Sequence, residues 1–205
     1  MPEKDVTPLA WKIELILMDV DGVLTDGRLL LVPMPDGTVV EAKAFNVNDG
    51  AALAMARRAG LKIGIISGRS SAALTRRAEE LKVDFFYHGL NPKKAVAMEE
   101  IYAKTKLPKD KVCYVGDDVQ DLPVFSRVGF PIAVANAAPE VAARAAYIRQ
   151  YSSVCFAVRN GTSFDGFTSP ARFAIRWPRF SSSAWPTALS VMKMTVSLAA
   201  SLRIA

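Results

Sequence analysis

The chain has 205 residues, 51% of them hydrophobic, and a formal net charge of +6. This length allows one hydrophobic core, or one core with an appendage. A positive charge suggests nucleic-acid binding, but its distribution argues against that function. Basic and acidic residues nearly balance over residues 1–149, and the excess lies in residues 150–205, where Asp165 is the one acid.

The cysteines and the chain ends bear on the cellular compartment. Cys113 and Cys155 are too few for a disulfide framework and lack metal-site spacing, which fits a reducing compartment. Cys113 lies in an apolar run and is predicted to be a buried small hydrophobe. The charged N-terminus does not resemble a signal peptide, and the apolar stretch near the C-terminus is short and interrupted by Lys193. We therefore expect neither secretion nor a membrane span.

Short apolar runs alternate with segments of helical period from residue 13 to about residue 148. The predicted strands are 12–18, 61–67, 83–87, 111–116 and 131–135, and the predicted helices are 49–60, 71–81, 92–105, 119–129 and 139–145. This alternation predicts an open, mostly parallel, Rossmann-like α/β sheet with helices on both faces. Residues 27–45 interrupt it with two β-rich runs around "PDG", which predicts a β-hairpin flap after strand one.

Polar side chains follow four of the predicted strands at the points where the strands end. Ligands of such sheets bind at the carboxyl ends of the strands, so these side chains are expected to converge. They are Asp19 and Asp21, then Ser67 and Arg69, then Lys93, and then Asp117 with Asp118 and Asp121. Carboxylates around one point repel each other unless a cation lies among them, and oxygen ligands suit Mg²⁺. A lysine and a serine beside that cation suit a phosphate group.

Each of these motifs also has a simpler interpretation when it is taken alone. A lone D-x-D is more often a turn or a solvated loop, and "GDDVQD" is typical of a helix start. Ser67 and Arg69 could cap the following helix, and Lys93 could be a solvated charge. The order of the four motifs, each at a strand end, favours a shared phosphate site.

The motifs "DVDGVLTDG", "IISGR", "NPKK" and "YVGDDVQD" together resemble the four motifs of the haloacid dehalogenase superfamily of phosphohydrolases. The hairpin, "KAFNVNDG" and the absence of an inserted cap domain resemble the capless sugar-acid phosphatases typified by 3-deoxy-D-manno-octulosonate 8-phosphate phosphatase. The resemblance implies a cytoplasmic, Mg²⁺-dependent homotetramer in the lipopolysaccharide precursor pathway.

The resemblance also implies a role for each residue of the site. Asp19 would be the nucleophile that forms an aspartyl-phosphate, and Asp21 would be the general acid and base. Asp19, the backbone carbonyl of Asp21 and Asp117 would bind Mg²⁺, while Ser67 and Lys93 would bind the phosphoryl group. The substrate would also contact Asp21, Asn46, Val47, Asn48, Asp49, Gly50, Arg69, Arg77 and Lys93. Asp118 and Asp121 would support the metal, and His88 is predicted to be a loop contact and not a catalyst.

The chain departs from the family pattern in two places. Asn48 and Ala54 stand where family members often carry basic residues, which affects the choice of sugar acid more than the phosphoryl chemistry. After residue 149 the expected Gly-rich turn and amphipathic helix are replaced by a serine-rich segment without period, as a reading-frame change or a replaced tail would produce. We therefore predict a phosphatase domain over residues 1–149 and a poorly ordered tail over residues 150–205.

Three alternatives remain open at this point. The substrate could be a nine-carbon, neuraminate-type 9-phosphate. The chain could be an inactive homologue with an assembly role, made so by its altered tail. It could also be a phosphoacceptor signalling module, although an acid at Asp21 favours turnover over storage of the phosphate.

Overall fold

The computed structural model describes residues 6–91 and 93–149, and its main sheet confirms the predicted α/β class. Six parallel strands lie in the order β5-β4-β1-β6-β7-β8. They are β1 (Leu15–Met18), β4 (Lys62–Ile66), β5 (Phe85–Tyr87), β6 (Val112–Gly116), β7 (Phe130–Ala133) and β8 (Tyr147–Ile148). From β1 the chain builds outward to one side through β4 and β5, and then to the other side through β6, β7 and β8. The strand order therefore reverses around β1, where open α/β sheets bind ligands.

Six α-helices accompany the strands among the described residues, and side-chain caps mark the start of two of them. They are α1 (Thr7–Ala10), α2 (Val47–Arg58), α3 (Ala72–Leu81), α4 (Lys94–Thr105), α5 (Leu122–Phe125) and α6 (Pro139–Ala142). The side chain of Asn46 accepts a hydrogen bond from the backbone of Asn48 at the start of α2, and Ser71 does the same for Leu74 in α3. Beyond α2, Gly60 has a φ of 89°, which ends the helical path as predicted.

Two apolar clusters lie on opposite faces of the sheet. One joins the buried faces of α2 and α3 to alternate residues of β1 and β4, among them Leu53, Leu74 and Ile65. The other joins α4 and α5 to the opposite face and includes Met98 and Val124. Because both faces are covered, the central strands β1 and β6 are buried along their whole length. The site at the strand ends is therefore held by a rigid frame.

The predicted hairpin is present as a separate two-stranded sheet, formed by β2 (Leu30–Pro33) and β3 (Val39–Ala42). Its turn uses Gly37 at a φ of 83°, and the Asp36 carboxylate accepts a hydrogen bond from the backbone of Thr38. Most of its large apolar side chains are exposed, namely Leu30, Leu31, Val32, Val39 and Val40. Over the described part of the chain, no cap domain is inserted.

Some predicted elements differ from the structure. The helix predicted over 119–129 is a 3₁₀ turn, Val119–Asp121, followed by the short α5, because Pro123 cannot donate a helical hydrogen bond. The strand β8 and the helix α1 were not predicted. None of the helices among the described residues has the length and hydropathy needed to span a bilayer. The predicted tail, residues 150–205, lies outside the described residues.

Candidate active site

The loop after β1 carries Asp19 into the centre of the strand-end edge. Asp19 is buried, and its backbone N–H donates to the carbonyl of Val115 in β6, 3.0 Å away. Thr25 accepts hydrogen bonds from the backbone of Gly22 at 3.3 Å and of Gly27 at 3.2 Å, so the loop is folded back on itself. The backbone of Asp19 is thus tied to β6, and the loop that follows it is closed by the Thr25 hydroxyl.

Gly22 has a conformation and a position that no other residue could share. Its φ is 86°, and a Cβ built on it would lie 1.9 Å from Oδ2 of Asp117. The amide of Asn136 donates to the Gly22 carbonyl at 3.1 Å. The glycine therefore lets the loop after β1 approach the Asp117 carboxylate at the end of β6.

The buried Lys94 contacts an aspartate from the loop after β1 and another from the loop after β6. Its ammonium lies 2.6 Å from Oδ2 of Asp19 and 2.8 Å from Oδ1 of Asp121, and the residue is 2% exposed. The prediction had placed Lys93 in this role, but Lys93 is exposed at the N-cap of α4. The helix register explains why Lys94 and not Lys93 is buried. Lys94 is the first residue of α4 and lies on its buried face, together with Ala97, Met98 and Ile101.

Asp121 is fully buried and both of its oxygens are occupied by donors. Oδ1 accepts from Lys94 and from the hydroxyl of Tyr114 at 2.7 Å, while Oδ2 accepts from the backbones of Asp117 at 3.0 Å and Asp118 at 3.2 Å. Asp118 in turn caps the 3₁₀ turn that contains Asp121. Asp121 and Asp118 therefore organise the loop after β6, and their support of a metal stays a prediction.

Three carboxylates in this region could share a cation. Oxygens of Asp19, Asp117 and Asp121 lie within 4.8 Å of one another. Oδ1 of Asp19 and Oδ1 of Asp117 are buried and accept no hydrogen bond. Unsatisfied buried carboxylate oxygens are costly, and a hard divalent cation between them would satisfy both. These residues fit Mg²⁺, with Asp19 and Asp117 as the ligands that the donor pattern leaves free.

The charges in this cluster are reflected in the pKa values of the acids. Burial raises the pKa of Asp19 to about 7, the charge of Asp121 adds to the shift, and Lys94 opposes it. Burial also raises the pKa of Asp117 to about 7, with the charges of Asp19 and Asp121 contributing. The Lys94 ammonium therefore does not offset the burial of Asp19 and Asp117, as expected for acids that bind a dication.

Ser67 follows β4 and lies next to this cluster. Its residue is buried, and its backbone N–H donates to the carbonyl of Tyr87 at 2.8 Å. A Cβ built on the following Gly68 would lie 3.7 Å from Cε of Lys94, so the turn rests against the lysine stem. The structure thus brings Ser67, Lys94 and Asp19 to the same edge of the sheet. The sequence predicted this convergence for Ser67 and Asp19.

Asp21 and Arg69 lie at the outer side of the edge and are linked through the hairpin. Oδ1 of Asp21 forms an ion pair with the ammonium of Lys43, which is also 3.0 Å from Oε1 of Glu41. Oε2 of Glu41 lies 2.7 Å from a guanidinium nitrogen of Arg69. Lys43 and Glu41 were not predicted as site residues.

The remaining predicted substrate residues cluster at the start of α2. Asn46, Val47 and Asn48 are exposed, and Val47 is 82% exposed, while Asp49 is buried. Arg77 donates to the carbonyl of Asn46 at 3.1 Å and lies over the ring of Phe45 at 5.5 Å. Gly50 packs against the same guanidinium. The contacts of Arg77 hold α2 to α3, and its contact with substrate stays a prediction.

Comparison with known proteins identifies the family. A family model described as haloacid dehalogenase-like hydrolase matches residues 90–154. The chain is 36% identical over 155 residues to the 3-deoxy-D-manno-octulosonate 8-phosphate phosphatase KdsC of Escherichia coli, covering 76% of this chain and 80% of that one. The chain belongs to this phosphatase family, within the haloacid dehalogenase-like hydrolases.

Solved structures agree with this membership. One is a probable YrbI family phosphatase from Pseudomonas syringae, at 41% identity and a TM-score of 0.67, covering 73% of this chain and 82% of that one. Another is the 3-deoxy-D-manno-octulosonate 8-phosphate phosphatase of Moraxella catarrhalis in complex with magnesium ion, phosphate ion and a KDO molecule. It is 34% identical, with a TM-score of 0.67 over 75% of this chain and 89% of that one.

His88 and Cys113 are not members of the acidic cluster. His88 lies in a loop, where its ring stacks on Phe86 and its Nδ1 is 2.9 Å from the hydroxyl of Ser70. These are loop contacts, as predicted. Cys113 is buried in β6, and burial raises the pKa of its thiol to about 12, which confirms the prediction of a buried hydrophobe.

Proposed function

We propose that this phosphatase hydrolyses the phosphate ester of 3-deoxy-D-manno-octulosonate 8-phosphate through an aspartyl-phosphate on Asp19. The observation that carries the proposal is the buried pairing of Asp19 with Lys94, beside the unsatisfied oxygens of Asp19 and Asp117. This arrangement combines a nucleophile, a cation for the phosphate and ligands for a metal. The choice of this sugar acid as substrate rests on the names of the relatives, which are 3-deoxy-D-manno-octulosonate 8-phosphate phosphatases.

The chain's own residues account for both half-reactions. A carboxylate oxygen of Asp19 attacks the phosphorus, the bond between phosphorus and the sugar oxygen breaks, and Asp21 gives its proton to that oxygen. A water molecule then attacks the phosphorus of the aspartyl-phosphate while Asp21 takes a proton from it, and the bond between phosphorus and the Asp19 oxygen breaks. Inorganic phosphate leaves, and Asp19 and Asp21 return to their starting states.

Lys94 and Ser67 bind the phosphoryl oxygens in this proposal. The ammonium of Lys94 lies between Asp19 and Asp121, so it meets the charge that spreads over the phosphoryl oxygens in the transition state. Asp19, Asp117 and the backbone carbonyl of Asp21 would hold Mg²⁺, which when bound supplies positive charge that offsets the phosphate. Asp121 stays fixed by its four donors and keeps Lys94 in place.

The sugar acid would be held at the outer side of the site. Arg69 presents an exposed guanidinium, which suits a carboxylate because its donors are planar and forked. The neighbouring start of α2, from Asn46 to Gly50, and Arg77 would line the remainder of the substrate. A nine-carbon 9-phosphate carries the same carboxylate and remains the alternative substrate.

We also propose that the phosphatase is a cytoplasmic homotetramer of the lipopolysaccharide precursor pathway. The exposed apolar side chains of β2 and β3 support self-association, because a hairpin that presents leucines and valines on its surface gains from being covered.

A substrate panel tests the proposed function. Phosphate release is measured from 3-deoxy-D-manno-octulosonate 8-phosphate, a neuraminate-type 9-phosphate and p-nitrophenyl phosphate, with Mg²⁺ and with EDTA. We expect Mg²⁺-dependent turnover with preference for the eight-carbon acid, and a loss of about a thousandfold or more in Asp19→Asn. A preference for the nine-carbon acid would show that the neuraminate-type 9-phosphate is the substrate. Turnover in EDTA would contradict the proposed role of Mg²⁺.

A further inference from the structure

We propose that Lys43 is a positioning residue that fixes the carboxyl group of Asp21 for proton transfer, and that Glu41 anchors Lys43 in turn. The inference rests on the proposed role of Asp21 as acid and base. Lys43 directly follows β3, so the hairpin supplies a residue to the site at the end of the main sheet. None of the four motifs contains Lys43, although it begins the stretch "KAFNVNDG".

The geometry of Lys43 is that of a built contact and not of a surface ion pair. Its side chain is 2% exposed, and its ammonium contacts Oδ1 of Asp21 and lies 3.0 Å from Oε1 of Glu41. Burial lowers the pKa of Lys43, but its contacts with the carboxylates of Asp21 and Glu41 outweigh that effect and leave the pKa raised. The ammonium is therefore charged and held between two carboxylates, unlike exposed pairs, which contribute little.

Glu41 extends this contact into a row of alternating charges. The row consists of Asp21, Lys43, Glu41 and Arg69. The second oxygen of Glu41 lies 2.7 Å from Arg69. Asp21 comes from the loop after β1 and Arg69 from the loop after β4, whereas the two middle members come from the hairpin. The hairpin thus ties together the group proposed to protonate the leaving oxygen and the group proposed to bind the substrate's carboxylate.

Fixing Asp21 matters because its side chain lies at the rim of the site, a quarter exposed, where a carboxyl group would otherwise rotate. Among the described side chains, Lys43 is the one that hydrogen-bonds to Asp21. Its contact with Oδ1 leaves Oδ2 as the oxygen that can meet the substrate. A misplaced acid can lower a rate by about a hundredfold, because proton transfer requires hydrogen-bond distance.

This role predicts an effect that depends on the leaving group. A sugar alkoxide must be protonated as its bond to phosphorus breaks, whereas p-nitrophenolate leaves without a proton. Loss of Lys43 should therefore slow the first half-reaction of a sugar phosphate and leave that of p-nitrophenyl phosphate nearly unchanged. A lysine that only stabilised the hairpin would affect both substrates equally.

The experiment compares Lys43→Met, Lys43→Arg and the control Lys62→Met, which replaces an exposed lysine at the start of β4. With the Mg²⁺-loaded enzyme in excess over substrate, release of the leaving group reports the first half-reaction alone. For Lys43→Met we expect a fall of about a hundredfold with the sugar-acid phosphate and less than about threefold with p-nitrophenyl phosphate. Lys43→Arg should recover at least a tenth of the wild-type rate. Lys62→Met should match the wild type.

Equal losses with both substrates, or no loss with either, would overturn the proposal. If Lys43→Met does not fold, Glu41→Gln decides, because it keeps the ammonium and removes its anchor, and it should show the same dependence on the leaving group at smaller size. The wild-type arm tests the proposed function separately. Should the wild type reject the sugar-acid phosphate, the substrate assignment fails, and the same ratio is measured with the sugar phosphate that the wild type hydrolyses fastest.

Discussion

Two adjacent lysines at the start of α4 offer a matched pair of substitutions. Lys94→Met removes an ammonium that lies within 2.8 Å of two buried carboxylates, whereas Lys93→Met removes an exposed charge. Methionine keeps the length of the side chain and its helix propensity, so the pair isolates the charge. The structure therefore predicts a large effect at one position and almost none at its neighbour.

The expected loss of stability follows from the burial of the pair. Removing one partner of a buried ion pair costs about 3–5 kcal/mol. Asp19 can take up a proton near neutral pH because its pKa is raised to about 7, mainly by burial, so the low end, about 3 kcal/mol, applies. For a domain of this size that corresponds to a fall of about 6–12 °C in Tm. Lys93→Met should change the unfolding free energy by less than about 0.5 kcal/mol.

Both quantities are measured in the same preparations. Thermal unfolding is followed in EDTA, so that a bound cation does not mask the lost charge, and phosphate release is followed with Mg²⁺. We expect kcat of Lys94→Met to fall about 100- to 1000-fold, as for the loss of one group that stabilises transition-state charge. If Lys93→Met were the damaged variant, or if the two behaved alike, the register of α4 and the role of Lys94 would both be refuted.

Three further predictions concern the metal, the loop after β1 and the substrate. Burial and neighbouring charges raise the pKa of Asp19 and of Asp117 from 3.8 to about 7. Between these two pH values the folded protein therefore binds more protons than the unfolded chain. Without a cation, its Tm should fall as the pH rises from 5.5 to 7.5. Added Mg²⁺ should raise Tm more at pH 7.5 than at pH 5.5, and an equal rise would argue against binding by these acids. Gly22→Ala should lower turnover about a hundredfold by displacing Asp117. Gly37 has a similar φ but open space around it, so Gly37→Ala should lower stability and leave activity unchanged. Arg69→Ala should raise KM for the sugar acid about tenfold and leave KM for p-nitrophenyl phosphate unchanged, a pattern that a role in folding alone would not produce.

The fold was predictable because its signals are local and repeated. Each buried run ends in a turn that carries polar residues, so the alternation of strands and helices determines which residues meet at the sheet edge. Asp19, Ser67 and Asp117 could be placed together from this argument alone. The hairpin was predictable from its turn, since "PDG" between β-rich runs has few other conformations.

The error at Lys93 shows where a motif is weaker than helix periodicity. The sequence "PKK" offers two lysines, and a motif alone does not choose between them. The positions 94, 97, 98 and 101 form one face of a helix, and three of them are apolar, which places Lys94 on the buried side. The signal was present in the sequence, but only the helix register makes it decisive.

Other parts of the site could not be read from the sequence. Lys43 and Glu41 lie in a hairpin whose orientation against the main sheet is a tertiary property, so their approach to Asp21 and Arg69 has no local signal. Tyr114 reads as an apolar strand residue, and its bond to Asp121 depends on the turn after β6. Side chains that meet across separate elements required the structure.

The central claim is that Asp19 carries the phosphoryl group during turnover. The most direct measurement is an acid quench of the Mg²⁺-loaded enzyme during hydrolysis of the sugar-acid phosphate, followed by borohydride reduction, which converts an aspartyl-phosphate to homoserine. Peptide mass spectrometry should locate the reduced residue at position 19, and Asp19→Asn should show none. Homoserine at another aspartate, or substrate-dependent turnover in Asp19→Asn at the wild-type rate, would contradict the account.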